Sequence, residues 1–523
     1  MIRIKPWALA LSLANLCYLD YWFDPWRTAF FRQQSDHADN LAVIADVVLL
    51  GLAFWGVYTL ARLSQRRLAI QISKWAFVLV LLIPGNAIKH RFDFLKLENV
   101  LAYMTKTELA IGGAIAVTAS AGIVVRWRRR IIPALALLVM LLFPFTFFTF
   151  GRVLTQWYDE RPAALAKSSA LSPPPRPSAP SRCRVLWLIF DELDERLTFV
   201  ERPTGLRLPE IDRLREESLW ASNAFPPATS TLLSMPSLIN GRIVTSTRPK
   251  GPSDLLLTYE GSQQTVSWRH TATLFSQARD LGYKTAILGW YIPYNKILGG
   301  STDFCEFFPF RYPDPDLRFF PRMVKWMAIA PSSIPLVDRV DWLRPLGLSV
   351  LRLDGLDHIK AYQACCRAAV PVVANRGFNL ILIHWPVPHM PGIYSRSQGD
   401  LDYSGRGTYI DNLALADRTL LEMRQAMETA GVWDSTTVLL SADHFYRNAT
   451  LLDGKSDHRV PFLLKLAGQT SRSDYNRPFN TVVTHDLVLA ILRGELQEPE
   501  SVAGWLDQRS KPEPLAAVDS TSP

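Results

Sequence analysis

The sequence predicts a two-part molecule: an N-terminal helical transmembrane bundle of about five spans, then a C-terminal α/β domain on a central, mostly parallel sheet. Three observations lead there. Long apolar stretches crowd into the first 150 residues, a Pro- and Ser-rich run follows, and beyond it short apolar runs alternate with amphipathic ones. At 523 residues the chain has length for about three average domains. Its 48% hydrophobic and 20% charged content excludes a disordered chain, and five scattered Cys exclude a disulfide-dense scaffold.

The apolar stretches are Trp7–Phe23, Leu41–Leu60, Leu68–Ile88, Leu109–Val125 and Ile131–Phe150, each close to the roughly 20 residues that cross a bilayer. The third is the weakest, since Lys74 interrupts it and Pro84-Gly85 breaks its end. Arg126-Trp127-Arg128-Arg129-Arg130, between the last two, prefers the cytoplasm. An odd number of spans with the N-terminus inside then puts everything after Phe150 outside. In a bacterial cell that means a multi-pass protein of the inner (plasma) membrane with a periplasmic domain, where oxidising conditions would let Cys305 pair with Cys365 or Cys366.

Residues 1–157 are thus expected to form the transmembrane domain and 158–183 an exposed, semi-rigid linker containing the run SSALSPPPRPSAPS. The soluble domain should span 184–500, with 501–523 as a tail. Within it, strands are expected at Arg184–Phe190, Lys284–Trp290, Asn379–His384, Thr436–Ser441 and Pro461–Lys465, with helices near Pro209–Ser218, Thr271–Asp280 and Tyr409–Ala430. Short, continuously apolar strands separated by amphipathic helices indicate a parallel sheet covered on both faces. Such sheets place their sites at the carboxyl ends of the strands.

The polar residues fall at those ends. RVLWLIF runs into Asp191-Glu192, TTVLLS into Ala442-Asp443-His444, and NLILIH ends on His384, five residues before His389 on a Pro-stiffened loop. His458 precedes the apolar run after Arg459. A carboxylate after a strand is by itself more often a cap, and a lone His more often a loop residue. Asp, Glu and His converging on one edge are instead the ligand set of Zn²⁺ or a similar divalent ion, Mn²⁺ included. His270, His358 and His485 lack such placement and read as structural. In Ala228-Thr229-Ser230-Thr231-Leu-Leu-Ser234-Met-Pro236, hydroxyls sit where a loop enters a helix, and the backbone N–H groups there favour an alkoxide or a bound phosphate.

These residues resemble the alkaline phosphatase superfamily in its sulfatase-like branch. In overall plan the chain is similar to membrane phosphoethanolamine transferases that act on lipid A, and to lipoteichoic acid synthases and phosphoglycerol transferases. The resemblance implies an alkaline-phosphatase/sulfatase-like fold for the soluble domain. It implies Thr231 as nucleophile, with His384 and His389 as further catalytic residues. It implies Asp191, Glu192, Thr231, Asp443, His444 and His458 as ligands of a divalent metal, with Asp191 and Glu192 both kept for the first position. It further implies a phospholipid donor, a cell-envelope acceptor such as lipid A or a glycan, and transfer of a phospho-head group through a phospho-threonine. The alternative it leaves is a hydrolase of phosphodiesters or sulfuric esters at the same site. Tyr409-Ile410-Asp411-Asn412 with Asp417 resembles a family segment to which structure is assigned before catalysis. Two departures count. Pro227 and Ser237 stand where the lipid A transferases often carry a disulfide, and Leu238 stands where the sulfatase motif has Arg.

Charge excludes one further class. Residues through Trp157 hold 17 Lys+Arg and 8 Asp+Glu, so they carry the whole net +9, and the remainder is balanced at 40 of each. The soluble domain has no cationic excess to offer a nucleic acid. The oligomeric state is left open.

Overall fold

The run VLWLIF, six apolar residues without polar alternation, forms strand β1 (Val185–Phe190), every residue of it buried. A strand of this kind must be covered on both faces. In the computed structural model, which describes residues 5–23, 30–31, 37–92, 106–159, 183–251, 253–311, 317–332 and 350–509, it lies inside an eight-stranded sheet. The other strands are β2 (Leu219–Ala221), β3 (Thr285–Trp290), β4 (Phe304–Phe308), β5 (Leu380–Trp385), β6 (Thr437–Ser441), β7 (Phe462–Lys465) and β8 (Ser473–Tyr475). Their order is β8-β2-β7-β6-β1-β5-β3-β4. The run from β6 to β4 is parallel, and β7 is antiparallel to both β6 and β2, so the sheet is mixed and mostly parallel.

Register does the positioning. Ile189 of β1 lies opposite His384 of β5 and Ser441 of β6, and Gly289 of β3 lies opposite His384 as well. The residues that follow these positions therefore emerge side by side at one sheet edge. Helices Pro209–Glu216, Val350–Ala374 and Tyr409–Thr429 pack together on the sheet, and Thr231–Asn240, Leu274–Asp280 and Thr484–Leu492 form a second group. Thr408 and Asp411 close a reciprocal capping box at the start of Tyr409–Thr429.

In the N-terminal part, three helical stretches among the described residues are long and apolar enough to cross a membrane: His37–Leu63, Arg67–Gly85 and Val125–Thr155. The expected five are not reached. The first stretch breaks after Leu16 into helices of 11 and 5 residues, Pro6–Leu16 and Leu19–Phe23. The fourth and fifth meet without an intervening loop at Trp127, whose backbone is non-helical (φ −112°, ψ 17°), so two helices join at a kink inside the Arg126–Arg130 cluster.

Three other expectations are corrected or fall outside the described residues. All five cysteines are free thiols, so Cys305 pairs with neither Cys365 nor Cys366; Cys365 is buried among core side chains. The tail begins later than 501, because Pro499–Arg509 is a helix that buries Val502, Trp505 and Leu506. Most of the linker, residues 160–182, lies outside the described residues.

Candidate nucleophile and metal centre

Asp191, directly after β1, and Asp443, two residues after β6, are both fully buried, and with His384 at the end of β5 they offer ligand atoms within 4.8 Å of one another. His384 Nε2 lies 3.6 Å from Asp191 Oδ2, and the Tyr294 hydroxyl shares a 3.1 Å hydrogen bond with its Nδ1. Asp443 Oδ1 is occupied by the backbone N–H groups of Glu192 (3.3 Å) and His444 (2.9 Å), which leaves Oδ2 turned to the site. His444 Nδ1 donates to the Phe445 carbonyl at 3.0 Å, so the lone pair of Nε2 faces the carboxylates, 3.4 Å from Asp443 Oδ2 and 3.8 Å from Asp191 Oδ1.

Thr231 is the first residue of helix Thr231–Asn240, after an extended Ser230 at the N-cap. Its hydroxyl donates to Asp443 Oδ2 at 2.6 Å and lies 3.3 Å from His444 Nε2 and 3.4 Å from Asp191 Oδ2. Ser234, one turn on, binds the Ala228 carbonyl at 3.0 Å and so fixes the loop that enters the helix. The positive end of the helix dipole falls on Thr231, which favours negative charge on its oxygen.

The electrostatics are those of a site that accepts a cation. Burial, and then the like charge of Asp443, push Asp191 up to about 7. Burial also acts to raise Asp443, but the neighbouring His444 and His384 and its hydrogen bonds outweigh it and hold that carboxyl below the usual range. Burial lowers His384 to about 4, so its ring is neutral at pH 7. Asp191 Oδ1 and His384 Nε2 are buried with no hydrogen-bond partner. Two orphaned acceptors beside two carboxylates and an imidazole lone pair fit a divalent ion, and carboxylate plus imidazole is a donor set that Zn²⁺ accepts.

The sequence-derived candidates divide accordingly. Asp191, Asp443, His444 and Thr231 come together, and His384, expected as a catalytic group, belongs with the ligand atoms. Glu192 does not. Its backbone is left-handed (φ 65°), and its buried carboxylate takes a 3.2 Å ion pair from Arg447 Nε. His458 does not either: it is exposed and stacks on Phe445 with ring centroids 4.5 Å apart. His389 is half-buried at the rim, its Nδ1 against the Met390 carbonyl and its ring 5.2 Å from Trp290.

Residues that the sequence marks as structural support the site. His358 is buried against the Pro386 carbonyl (2.7 Å) and lies parallel to His389 at 6.2 Å, so it supports the loop that bears His389. Asn412 ties the same loop down, donating to the carbonyls of His389 (3.0 Å) and Pro391 (3.1 Å) and accepting from Ile393 N–H (2.8 Å). The Tyr409 hydroxyl donates to the Glu192 carbonyl, and Asp417 accepts the N–H groups of Glu210 and Ile211, so this segment is structural. Tyr291, the other left-handed residue at this edge (φ 69°), is half-buried and close enough to Asp191, Arg447 and Asp443 for their charges to act on its hydroxyl. Arg447 had one available signal, its position four residues after Asp443.

Comparison with protein-family models and with curated proteins finds no match. Among solved structures the chain is similar to Ps i-CgsB in complex with k-i-k-neocarrahexaose, at 16% identity over 62% of this chain and 74% of that one, TM-score 0.40. It is similar to the PsFucS1 sulfatase from Pseudoalteromonas sp., at 13% identity over 60% and 69%, TM-score 0.41. It is also similar to the lipoteichoic acid synthase LtaP from Listeria monocytogenes, at 13% identity over 59% and 72%, TM-score 0.36.

Proposed function

We propose that this chain is a membrane-anchored, metal-dependent enzyme of the alkaline phosphatase superfamily, in its sulfatase-like branch, that moves a phospho-head group from a phospholipid to a cell-envelope acceptor. The observation that carries this reading is the Thr231 hydroxyl at a helix N-terminus, 2.6 Å from Asp443 Oδ2, beside Asp191 and His444.

Asp191, His384, Asp443 and His444 would hold the ion, Zn²⁺ or Mn²⁺, which when bound supplies Lewis-acid stabilisation of charge on oxygen. Thr231 Oγ1 forms the new bond to phosphorus as the bond from phosphorus to the lipid alcohol breaks. Its proton passes to Asp443 Oδ2, the carboxylate oxygen to which it already donates at 2.6 Å and which has a second lone pair for the ion. His389, at the rim, gives the departing alkoxide its proton. A phospho-threonine ester results; an acceptor hydroxyl then gives its proton to His389 as it attacks phosphorus, and the departing Thr231 oxygen takes back the proton from Asp443. With water in place of the acceptor, the same residues perform hydrolysis.

A lipid donor agrees with the surroundings of the site. Phe31, in the stretch between Phe23 and His37, packs its ring 6.0 Å from Tyr291, and the Phe30 carbonyl accepts from Lys296 Nζ at 3.0 Å. The chain joining two N-terminal helices therefore touches the wall of the candidate site. We place the protein in the inner membrane with residues 184–509 on the periplasmic side.

Intact-mass analysis of the full chain incubated with native membranes tests the reading. A phospho-ester adduct on Thr231 that disappears in Thr231→Ala, with turnover reduced at least about 10³-fold, is the expected result; substantial turnover by a folded, metal-loaded Thr231→Ala overturns it. Following a labelled head group to an acceptor or to water separates transferase from hydrolase.

A further inference from the structure

Between β4 and the helix Val350–Ala374, the soluble domain carries a helix of its own, Phe319–Ser332 (FFPRMVKWMAIAPS). One side of it is closed. The Arg322 guanidinium donates to Asp39 Oδ1 at 2.6 Å with both side chains nearly buried, and Trp326 Nε1 donates to the same oxygen at 3.1 Å. The Trp326 ring meets Tyr21 edge-on at 4.7 Å, and Met323 and Trp326 join a buried cluster with Tyr18, Tyr21, Trp22, Val43 and Val47. Asp39 opens the apolar helix His37–Leu63, and Tyr21 and Trp22 close the preceding one. The soluble domain's helix is thus fastened to one end of a candidate membrane span, at a level lined by Tyr and Trp, the residues favoured at a membrane interface.

Part of the remaining circumference is apolar and uncovered. Phe319, Phe320 (75% exposed), Val324 (65% exposed) and Met327 are all exposed. At 3.6 residues per turn Met327, Phe320 and Val324 fall within one arc about 60° wide, beside the buried Met323, and Phe319 stands at the helix's first residue. Lys325 projects from the opposite side, its ammonium 5.5 Å from the Trp326 ring. A basic side, an apolar side and large apolar residues at the level of a span's end are the design of a helix that lies in the interface plane. Four such side chains facing water would be a costly arrangement for a soluble surface.

We propose that the arc Phe320, Val324 and Met327, with Phe319 at the helix start, lies in the headgroup–acyl boundary of the leaflet on the soluble domain's side, so that this helix clamps the catalytic domain onto phospholipid. The proposal rests on reading the apolar N-terminal helices as spans and is independent of the chemistry at Thr231. Its consequence concerns the site. Phe310, which precedes the helix, packs 5.8 Å from Trp290 and 6.3 Å from Tyr291, and Trp290 lies against His389. The clamp therefore brings a lipid surface alongside the wall of the nucleophile pocket.

The full chain, reconstituted in phosphatidylcholine–phosphatidylglycerol vesicles containing a phospholipid with an acyl-chain diazirine, provides the test. After irradiation and digestion, mass spectrometry should find lipid adducts on the peptide covering 319–327 as well as on His37–Leu63. The double variant Phe320→Asp, Val324→Asp should lose at least about tenfold of the former and keep the latter. Labelling of the span with none on 319–327 overturns the proposal, whether that face meets water or a second copy of the chain. Absence of labelling on both removes the span reading and the clamp with it. The wild-type pattern decides even if the double variant does not fold, and because no turnover is read, failure of the Thr231 chemistry leaves the result unchanged.

Discussion

Asp191 and Glu192 are adjacent carboxylates with opposite fates. The first faces Asp443 and leaves one oxygen without a partner; the second, also buried, sits on a left-handed backbone and is neutralised by Arg447. Their chemical equivalence in the sequence is why both stood as ligands. Only the sign of φ at one residue separates them, and no side-chain pattern encodes that. Asp191→Asn should lower divalent-metal affinity by more than the roughly 10- to 100-fold typical of an outer-shell change, whereas Glu192→Gln should stay within that range. Metal content after dialysis against graded chelator measures both. A second residue-scale consequence lies away from the site. Burial raises Asp357 from 3.8 to about 6 against the pull of Lys325, Arg311 and Lys360. Below about pH 4 both states hold the proton; between about 4 and 6 the unfolded chain loses it while the folded chain keeps it, so stability falls as pH rises through that window. The gap amounts to about 3 kcal/mol at pH 7. Asp357→Asn should therefore melt at a higher temperature relative to the native chain at pH 7 than at pH 4; a difference unchanged with pH would contradict this.

At the level of elements, the parallel strands were the most legible part of the chain. Runs such as VLWLIF and LILIHW have no polar alternation, and burial on both faces leaves them few other places. Because the strands are in register, the residues that follow them converge, and that convergence made Asp191, His384, Asp443 and His444 visible. Parts of the site without such an anchor were not legible. His458 follows no strand, and the stretch that carries it stacks on Phe445 instead of entering the cluster. Tyr294 holds His384 only because Gly289, opposite His384 in β3, leaves room for its ring: a Cβ there would stand 2.0 Å from Tyr294 Cδ2. Gly289→Ala should thus displace Tyr294, cost about 1–3 kcal/mol by overpacking, and weaken metal binding roughly 10- to 100-fold through the lost support of His384. A thermal melt and a metal titration on the same preparation read the two effects, and an unchanged metal affinity would show that Tyr294 does not support His384.

At the scale of the whole molecule, the sequence divides cleanly by charge, with the net +9 confined to the first 157 residues, and this invites a picture of two independent parts on a flexible linker. The folded chain is more tightly joined than that. Helix Phe319–Ser332 of the soluble domain buries Met323 and Trp326 against the N-terminal helices, and Phe30 and Phe31 of the N-terminal part belong to the main core of the soluble domain. The Phe30 and Phe31 contact shows no periodicity, because it comes from two adjacent residues of a connecting segment, and the helix contact rests on only a few residues, Arg322, Met323 and Trp326. Phe30 is almost completely buried, so Phe30→Ala in the full chain should cost about 3–5 kcal/mol, the usual range for emptying a buried Phe site. The loss should appear where Phe30 packs. In hydrogen exchange, protection should fall in β3 and the Tyr291–Ile297 segment of the soluble domain, while the apolar helix His37–Leu63 keeps its own. Equal loss in both parts would mean that they unfold as one cooperative unit, and no loss in the soluble domain would mean that the linker alone joins them.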